Sequence, residues 1–371
     1  MTATSTREHR RAAGAPRSRP RAGRRPGVVR GHVVVGLVSV VVLGCLAGGV
    51  GTAGLPEVAG GLAQAAGAAP ADAPPRTWFV ATTGRDEDPG SESRPFRTVG
   101  RGVKALAPGD TLYIRAGTYP ESLMNVIPGG TSWERPVRVA AFPGDGSVIL
   151  KPEPGASRVL HFEGPRTAYI SVEDLVLDGS HVTYDAVKIT YGSKTRDAAH
   201  HIRLLRCEVR NAPMQGILVT AGANDNELLQ LDIHDNGTTD FGHGVYIASE
   251  RNRLEDSLIH RNAGWGVHVY SQPAIFSAHF NVVRRNRVWD NARAGKRGTG
   301  IVVRGGWGNQ VIENVVSGNR GGIEVGPLAP DTLLRDNVVF GNGPFEVLVH
   351  WLSFGSRVES TMPAGARSER P

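Results

Sequence analysis

From about residue 169 onward the chain repeats itself, and the period of that repeat limits its possible folds more than any other feature. Five short β-rich runs end in asparagine: Asp232-Ile233-His234-Asp235-Asn236, Leu258-Ile259-His260-Arg261-Asn262, Arg287-Val288-Trp289-Asp290-Asn291, Val315-Val316-Ser317-Gly318-Asn319 and Val338-Val339-Phe340-Gly341-Asn342. The asparagines at 236, 262, 291, 319 and 342 are 26, 29, 28 and 23 residues apart, and a looser copy ends at Asn211. A second strand follows each run and opens on a small residue. Examples are Ala186-Val187-Lys188-Ile189, Gly244-Val245-Tyr246-Ile247, Gly266-Val267-His268-Val269 and Gly300-Ile301-Val302-Val303. These alternate with period two, aliphatic on one side and variable on the other.

A unit this short, with two or three strands and no helix, cannot close a core alone. Stacked as coils, equivalent strands pair in parallel and the aliphatics line one continuous interior. Asparagine at a fixed turn can then stack as a hydrogen-bonded amide ladder. Asn286, Asn314 and Asn337 each stand two residues before an inward Val and suggest a second ladder. The period is too short for a propeller blade and the consensus is not that of leucine-rich repeats. The expected fold is all-β, a right-handed parallel β-helix (a solenoid), forming a single domain behind a signal or anchor segment.

The opening of the body adds a resemblance. Trp78-Phe79-Val80-Ala81-Thr82-Thr83-Gly84-Arg85-Asp86-Glu87-Asp88-Pro89-Gly90, then Pro95-Phe96-Arg97-Thr98, then Pro108-Gly109-Asp110-Thr111-Leu112-Tyr113-Ile114 resemble the start of pectate-lyase-like parallel β-helix proteins. The resemblance spans roughly residues 77–350 and implies an N-terminal cap followed by coils. It specifies fold more than reaction, because that superfamily includes lyases, hydrolases and epimerases. Its pectate lyases use a calcium-binding Asp cluster and a catalytic Lys in the central coils, and this sequence lacks such a cluster. Asp86, Asp88 and Asp110 are read as turn formers. Neither a metal nor a cofactor is expected.

Charge separates the chain into parts. Residues 1–31 hold nine Arg and one acid, and setting them aside leaves 33 basic and 34 acidic residues. The net +7 therefore belongs to the leader. A neutral body argues against nucleic acid as partner. Residues 32–56 read as a signal peptide or transmembrane anchor: Val33 to Leu55 carries no charge, and a basic region before an apolar run directs export. Ala63-Gln64-Ala65 offers a cleavage site, and Val42-Leu43-Gly44-Cys45 a loose lipoprotein box, so cleavage, retention and lipidation all stay open. The expected location is secreted, or anchored at the extracellular face of the membrane through this segment alone. Residues 57–76 form an Ala/Gly/Pro linker, 77–350 the β-helix and 351–371 a tail. A monomer is expected. Two cysteines exclude a disulfide scaffold, and Cys207 reads as a buried, unreactive thiol.

Period two sets the outward rows of the second strand. Lys188, Leu218, Tyr246, His268, Val302 and Glu324 form one, and Thr190, Thr220, Ala248, Tyr270, Arg304 and Gly326 the next. Asp185, Gln215, His243, Trp265, Thr299 and Gly321 form a third. His243, Tyr246, Trp265, His268, Tyr270 and Arg304 thus gather on three consecutive coils. That set suits an acidic polysaccharide. Abstraction of a proton beside a uronate carboxylate needs a cation, a base and an acid. Arg304 is the expected carboxylate ligand, His243 or His268 the base, and Tyr246 or Tyr270 the acid. Lys188, Trp265, Tyr270, Glu324 and Arg297 are expected to contact substrate. Alginate epimerases and some β-helix lyases use His, Tyr, Arg and Asp in this way, and the segment Asp235 to Gly244 loosely resembles their Asp/His region at a different spacing. The expected function is a polysaccharide lyase or C5-epimerase. A non-catalytic glycan-binding β-helix and a glycoside hydrolase are the alternatives; the last needs two positioned carboxylates. His234 and His260 are expected to stack beside the asparagine turn, and His200 and His201 to be solvated.

Overall fold

A computed structural model of the protein describes residues 74–192, 197–270, 277–295 and 298–363. Each complete coil gives one strand to each of three parallel sheets, which among the described residues hold eleven, ten and nine strands. The first sheet runs from Thr77–Val80 to Arg357–Glu359, the second from Gly117–Tyr119 to Met362–Pro363, and the third from Leu123–Met124 to Val347–Val349. Alternation decides which side of each strand faces inward. In the third sheet Val245 and Ile247, Val267 and Val269, and Ile301 and Val303 are fully buried and stack in register. Burying one such side chain is worth about 1.5–3 kcal/mol, and every coil adds several.

The first end is closed by the short helix Val99–Val103, whose Val99 and Val103 are buried in the core cluster. Thr98 caps it, accepting from the Arg101 amide at 3.1 Å. The Asp86 carboxylate accepts from the Arg97 and Thr98 amides and the Thr98 hydroxyl. Asp110 accepts from the Arg76 and Ala107 amides and from Trp78 Nε1. The opening aspartates thus build turns and the cap.

The corners between sheets carry the asparagine ladders. In the first, Asn236, Asn262, Asn291 and Asn319 each donate a side-chain amide and a backbone N–H to the Oδ1 of the next, at 2.9–3.2 Å, and Asn342 closes the row by donating to the Glu346 carboxylate. The second runs through Asn286, Asn314 and Asn337 and ends on Thr361 Oγ1. A third, which sequence reading missed, joins Asn226, Asn252, Asn281 and Asn309. Its spacing of 26, 29 and 28 residues matches the first, so the signal was present. The residue before each ladder asparagine has a positive φ, as at Asp235 (54°), Arg261 (53°) and Asp290 (52°). Left-handed backbone turns the chain sharply and strands its polar groups inside the corner, where the Asn side chains satisfy them. Outside the corner Asp and Arg pair across coils, as in Asp235–Arg261 at 2.7 Å and Asp256–Arg285 at 2.6 Å.

Two expectations change. The coil before Asn236 places Ala212, not Asn211, under the ladder: the Ala212 amide donates to Asn236 Oδ1 at 3.0 Å, and Asn211 takes the left-handed position. The winding also continues past residue 350, through strands Arg357–Glu359 and Met362–Pro363. Thr361 replaces the asparagine there, which hid the last coil from the pattern. Cys207 is buried at the second ladder's corner, its Sγ 3.5 Å from the Val172 carbonyl oxygen, and burial pushes the thiol up to about 12. Among the described residues no helix is long and apolar enough to cross a membrane. The expected leader, apolar segment and most of the linker lie outside them.

The ladder yields a graded prediction. Asn262→Ala leaves the Asn236 amide groups and the Ile233 and His260 carbonyl oxygens short of partners, at about 1–3 kcal/mol for each unsatisfied buried group. Asn342→Ala, at the exposed end, should lower the urea midpoint by less than half as much. Equal shifts would show that the ladder does not stabilise the corner.

Candidate functional site

The third sheet fixes the rows. Lys188 pairs with Leu218, Leu218 with Tyr246, Tyr246 with His268, His268 with Val302 and Val302 with Glu324. Tyr270 pairs with Arg304. The third row follows from amides donating coil to coil: Gly216 to His243, Gly244 to Trp265 and Gly266 to Thr299.

Five rings form one cluster. His268 is stacked on Tyr246 at 4.8 Å, on Trp265 at 5.0 Å and on Tyr270 at 5.3 Å between centroids. His243 meets Trp265 and His268 edge-on at 4.8 and 4.9 Å. The hydrogen bonds set the protonation of both imidazoles. The Trp265 backbone N–H donates to His243 Nδ1 at 3.3 Å, so that nitrogen is an acceptor. A neutral His243 then carries its proton on Nε2, which donates to His268 Nδ1 at 3.3 Å. His268 in turn is protonated on Nε2. Burial lowers the His243 pKa to about 3. Burial, His243 and Arg304 hold His268 well below its ordinary 6.5. Both rings are therefore neutral near pH 7, and the pair presents an N–H. This corrects the expectation that one of them is the base. While the two hydrogen bonds hold, neither ring has a free lone pair for a proton. Burial and the nearby Tyr270 push Tyr246 up to about 12, so its phenol stays a donor.

Arg304 is also placed differently from expectation. Its Nε donates to Glu324 Oε1 at 3.0 Å, and Nη2 bonds the same oxygen. Its carboxylate is supplied by the next coil of the protein itself. Beside the pair lies a cleft of about 340 Å³, lined by Trp265, Thr299, Arg304, Arg320, Glu324 and Phe345 among others. Trp265 Nε1 and Thr299 Oγ1 are buried donors without partners among the described residues. Sequence reasoning missed Arg320, which follows a ladder asparagine outside the three rows.

Lys188 lies apart, two strands from Tyr246, or roughly 10 Å along the axis. Its neighbours form a charged cluster. Arg158 Nε donates to Asp185 Oδ2 at 3.3 Å, and His161 is the register partner of Lys188. Burial, then the Arg158 charge, lowers the pKa of Lys188 and of His161. Burial raises that of Asp185 despite Arg158. Arg158 and His161 went unnoticed because their coil precedes the first ladder asparagine. Arg297 lies outside the described residues, as do 271–276 of the loop after Tyr270.

Two side features are settled by contacts. His234 is stacked on His260 at 5.0 Å, and His260 on Trp289 at 4.2 Å. His200 and His201 are half-buried rather than solvated, with His201 4.6 Å from the Tyr169 ring and its Nδ1 2.6 Å from that of His200.

The imidazole pair carries a pH signature. A neutral folded ring whose unfolded form titrates near 6.5 takes up fewer protons than the unfolded chain below that pH. Its contribution is thus complete above 6.5 and is lost as pH falls toward about 3 for His243. Imidazole nitrogen NMR should show both rings as the neutral Nε2–H form from pH 8 to 5. The His243→Gln/His268→Gln variant should flatten the fall of stability over pH 6.5 to 4. Titration of either ring near 6.5 would refute the hydrogen-bond order.

The fold agrees with known proteins. A family model described as a right handed beta helix region matches residues 175–297. No curated protein sequence matches the chain. Among solved structures, pectate lyase Pel9A is 14% identical, with a TM-score of 0.56 over 78% of this chain and 79% of that one. A protein titled glycoside hydrolase is 9% identical, with a TM-score of 0.61 over 78% and 97%. XylC in complex with xylose is 11% identical, with a TM-score of 0.51 over 73% and 69%. The chain has the right-handed parallel β-helix fold, which it shares with that pectate lyase.

Proposed function

We propose that this is a carbohydrate-active protein that takes an acidic, uronate-containing polysaccharide along its third sheet. The observation that carries the reading is the chemistry of the ring cluster. His268 Nε2–H, the Tyr246 phenol and the cleft guanidiniums are all donors, set in register beside rings that can stack on sugar faces. An oxygen-rich anion answers such a surface. Similarity of fold to a pectate lyase and a glycoside hydrolase is consistent with a glycan ligand. With the Arg-rich leader and apolar segment of the sequence, this reading places the protein outside the cytoplasm, secreted or membrane-anchored.

The finer reading is turnover by a lyase or C5-epimerase. Lys188 replaces the histidines as proton acceptor, because its lowered pKa leaves more free amine than an exposed lysine has. Lys188 Nζ takes the C5 proton, and the electron pair forms the C4–C5 double bond as the C4–O4 bond breaks. The departing oxygen takes a proton from water, because Tyr246 stands two strands away from Lys188. In an epimerase no C–O bond breaks, and a proton returns to C5 from the opposite face. A second reading, binding without turnover, is favoured by one observation: Arg304 is already paired with Glu324.

Incubation with polyuronates, followed by ultraviolet absorbance of the unsaturated product and by deuterium exchange at C5, tests both. Turnover should rise with pH as Lys188 loses its proton, with no inflection near 6.5. Lys188→Arg, which stays charged, should lower kcat at least a hundredfold with KM changed only a few-fold. Binding with neither product nor exchange would leave the non-catalytic reading. Absence of binding to every polyuronate would end the proposal.

A further inference from the structure

The guanidinium expected to meet a substrate carboxylate, that of Arg304, is occupied. A different one is not. Arg320 is exposed, lines the 340 Å³ cleft, and among the described residues has neither an ion pair nor a hydrogen bond. It stands where that cleft adjoins a second of about 550 Å³ over the asparagine corner, which it also lines together with Arg261 and Arg293. Those two are committed to Asp235, at 2.7 and 3.2 Å. Arg320 therefore offers an uncommitted planar fork at the meeting of two clefts.

The walls point to the same ligand chemistry. Trp265 and Thr299 are 7% and 3% exposed, and among the described residues Trp265 Nε1 and Thr299 Oγ1 lack acceptors. Buried donors left unsatisfied cost free energy that an entering acceptor can return. Among the described residues the one carboxylate lining the first cleft, Glu324, is held by Arg304, so Arg320 faces no unpaired acid from them there. Phe345 adds an apolar wall. The volume lies at the small end of ligand pockets, about 300–1,000 Å³, which suits one sugar unit.

We infer that Arg320 is the carboxylate-reading residue of this protein: its fork binds the carboxylate of one uronate unit bidentately in the cleft, and the polymer continues into the adjoining cleft over the corner. The inference rests on the glycan reading above and adds to it the specificity residue and the path. A bidentate Arg–carboxylate pair is geometrically selective, and a lysine cannot reproduce it.

The test compares a polyuronate with the same polymer after its carboxyls are reduced to neutral alcohols, by calorimetry on the full chain. Arg320 is exposed, so Arg320→Gln should keep the wild-type circular dichroism spectrum. That variant should bind the polyuronate at least tenfold more weakly and the reduced polymer unchanged. Arg320→Lys should fall between wild type and Arg320→Gln. Unchanged polyuronate affinity, equal loss on both polymers, or full retention by Arg320→Lys would overturn the inference and leave the glycan reading standing. A wild-type protein that binds neither polymer overturns both.

Discussion

Every coil of this protein must turn its backbone three times inside a narrow column, and the polar groups stranded at those turns must find partners away from water. Stacked asparagine amides meet that constraint. A residue such as Arg261 or Asp290 takes a left-handed conformation that costs about 1–2 kcal/mol, and the asparagine after it joins its own coil to the next. Because the link is made at the same position in successive coils, it also sets their register. The rows of the third sheet follow from it.

That register explains why so much was readable in one dimension. The spacing of Asn236, Asn262, Asn291, Asn319 and Asn342, with alternation in the strands between, placed Lys188, Tyr246, His268 and Glu324 in a row, as the pairings have it. What periodicity cannot carry is the identity of a side chain's partner. Arg304 was placed in its row, yet only coordinates reveal that Glu324 one coil on takes its fork. His243 was likewise placed, but its role depends on a Trp265 amide aimed at Nδ1, which no residue pattern encodes. The pattern also faded where the marker changed: Ala212 for asparagine at one end, Thr361 at the other.

The electrostatics of the ring cluster follow from how it is packed. Stacking His268 against Tyr246, Trp265 and Tyr270 removes water from the imidazole, and desolvation favours its neutral form. The same packing keeps the Tyr246 proton in place. A surface rich in ionisable residues thus carries little charge of its own at this point and offers protons. Its charged groups stand at either side, Lys188 with Arg158 toward the N-terminus and Arg304 with Arg320 toward the C-terminus.

Coil-to-coil matching has a consequence for how such a molecule can change length. The upper and lower surfaces of a middle winding are near copies: Asn262 contacts Asn291 much as Asn291 contacts Asn319. Excising one whole winding would bring together two surfaces that already fit. The two charged stations would then move closer by a single rung, roughly 4.8 Å, with their surroundings otherwise intact. The molecule is in this sense a ruler with discrete graduations, and lineages of such chains can retune the length of ligand they measure by gaining or losing entire turns.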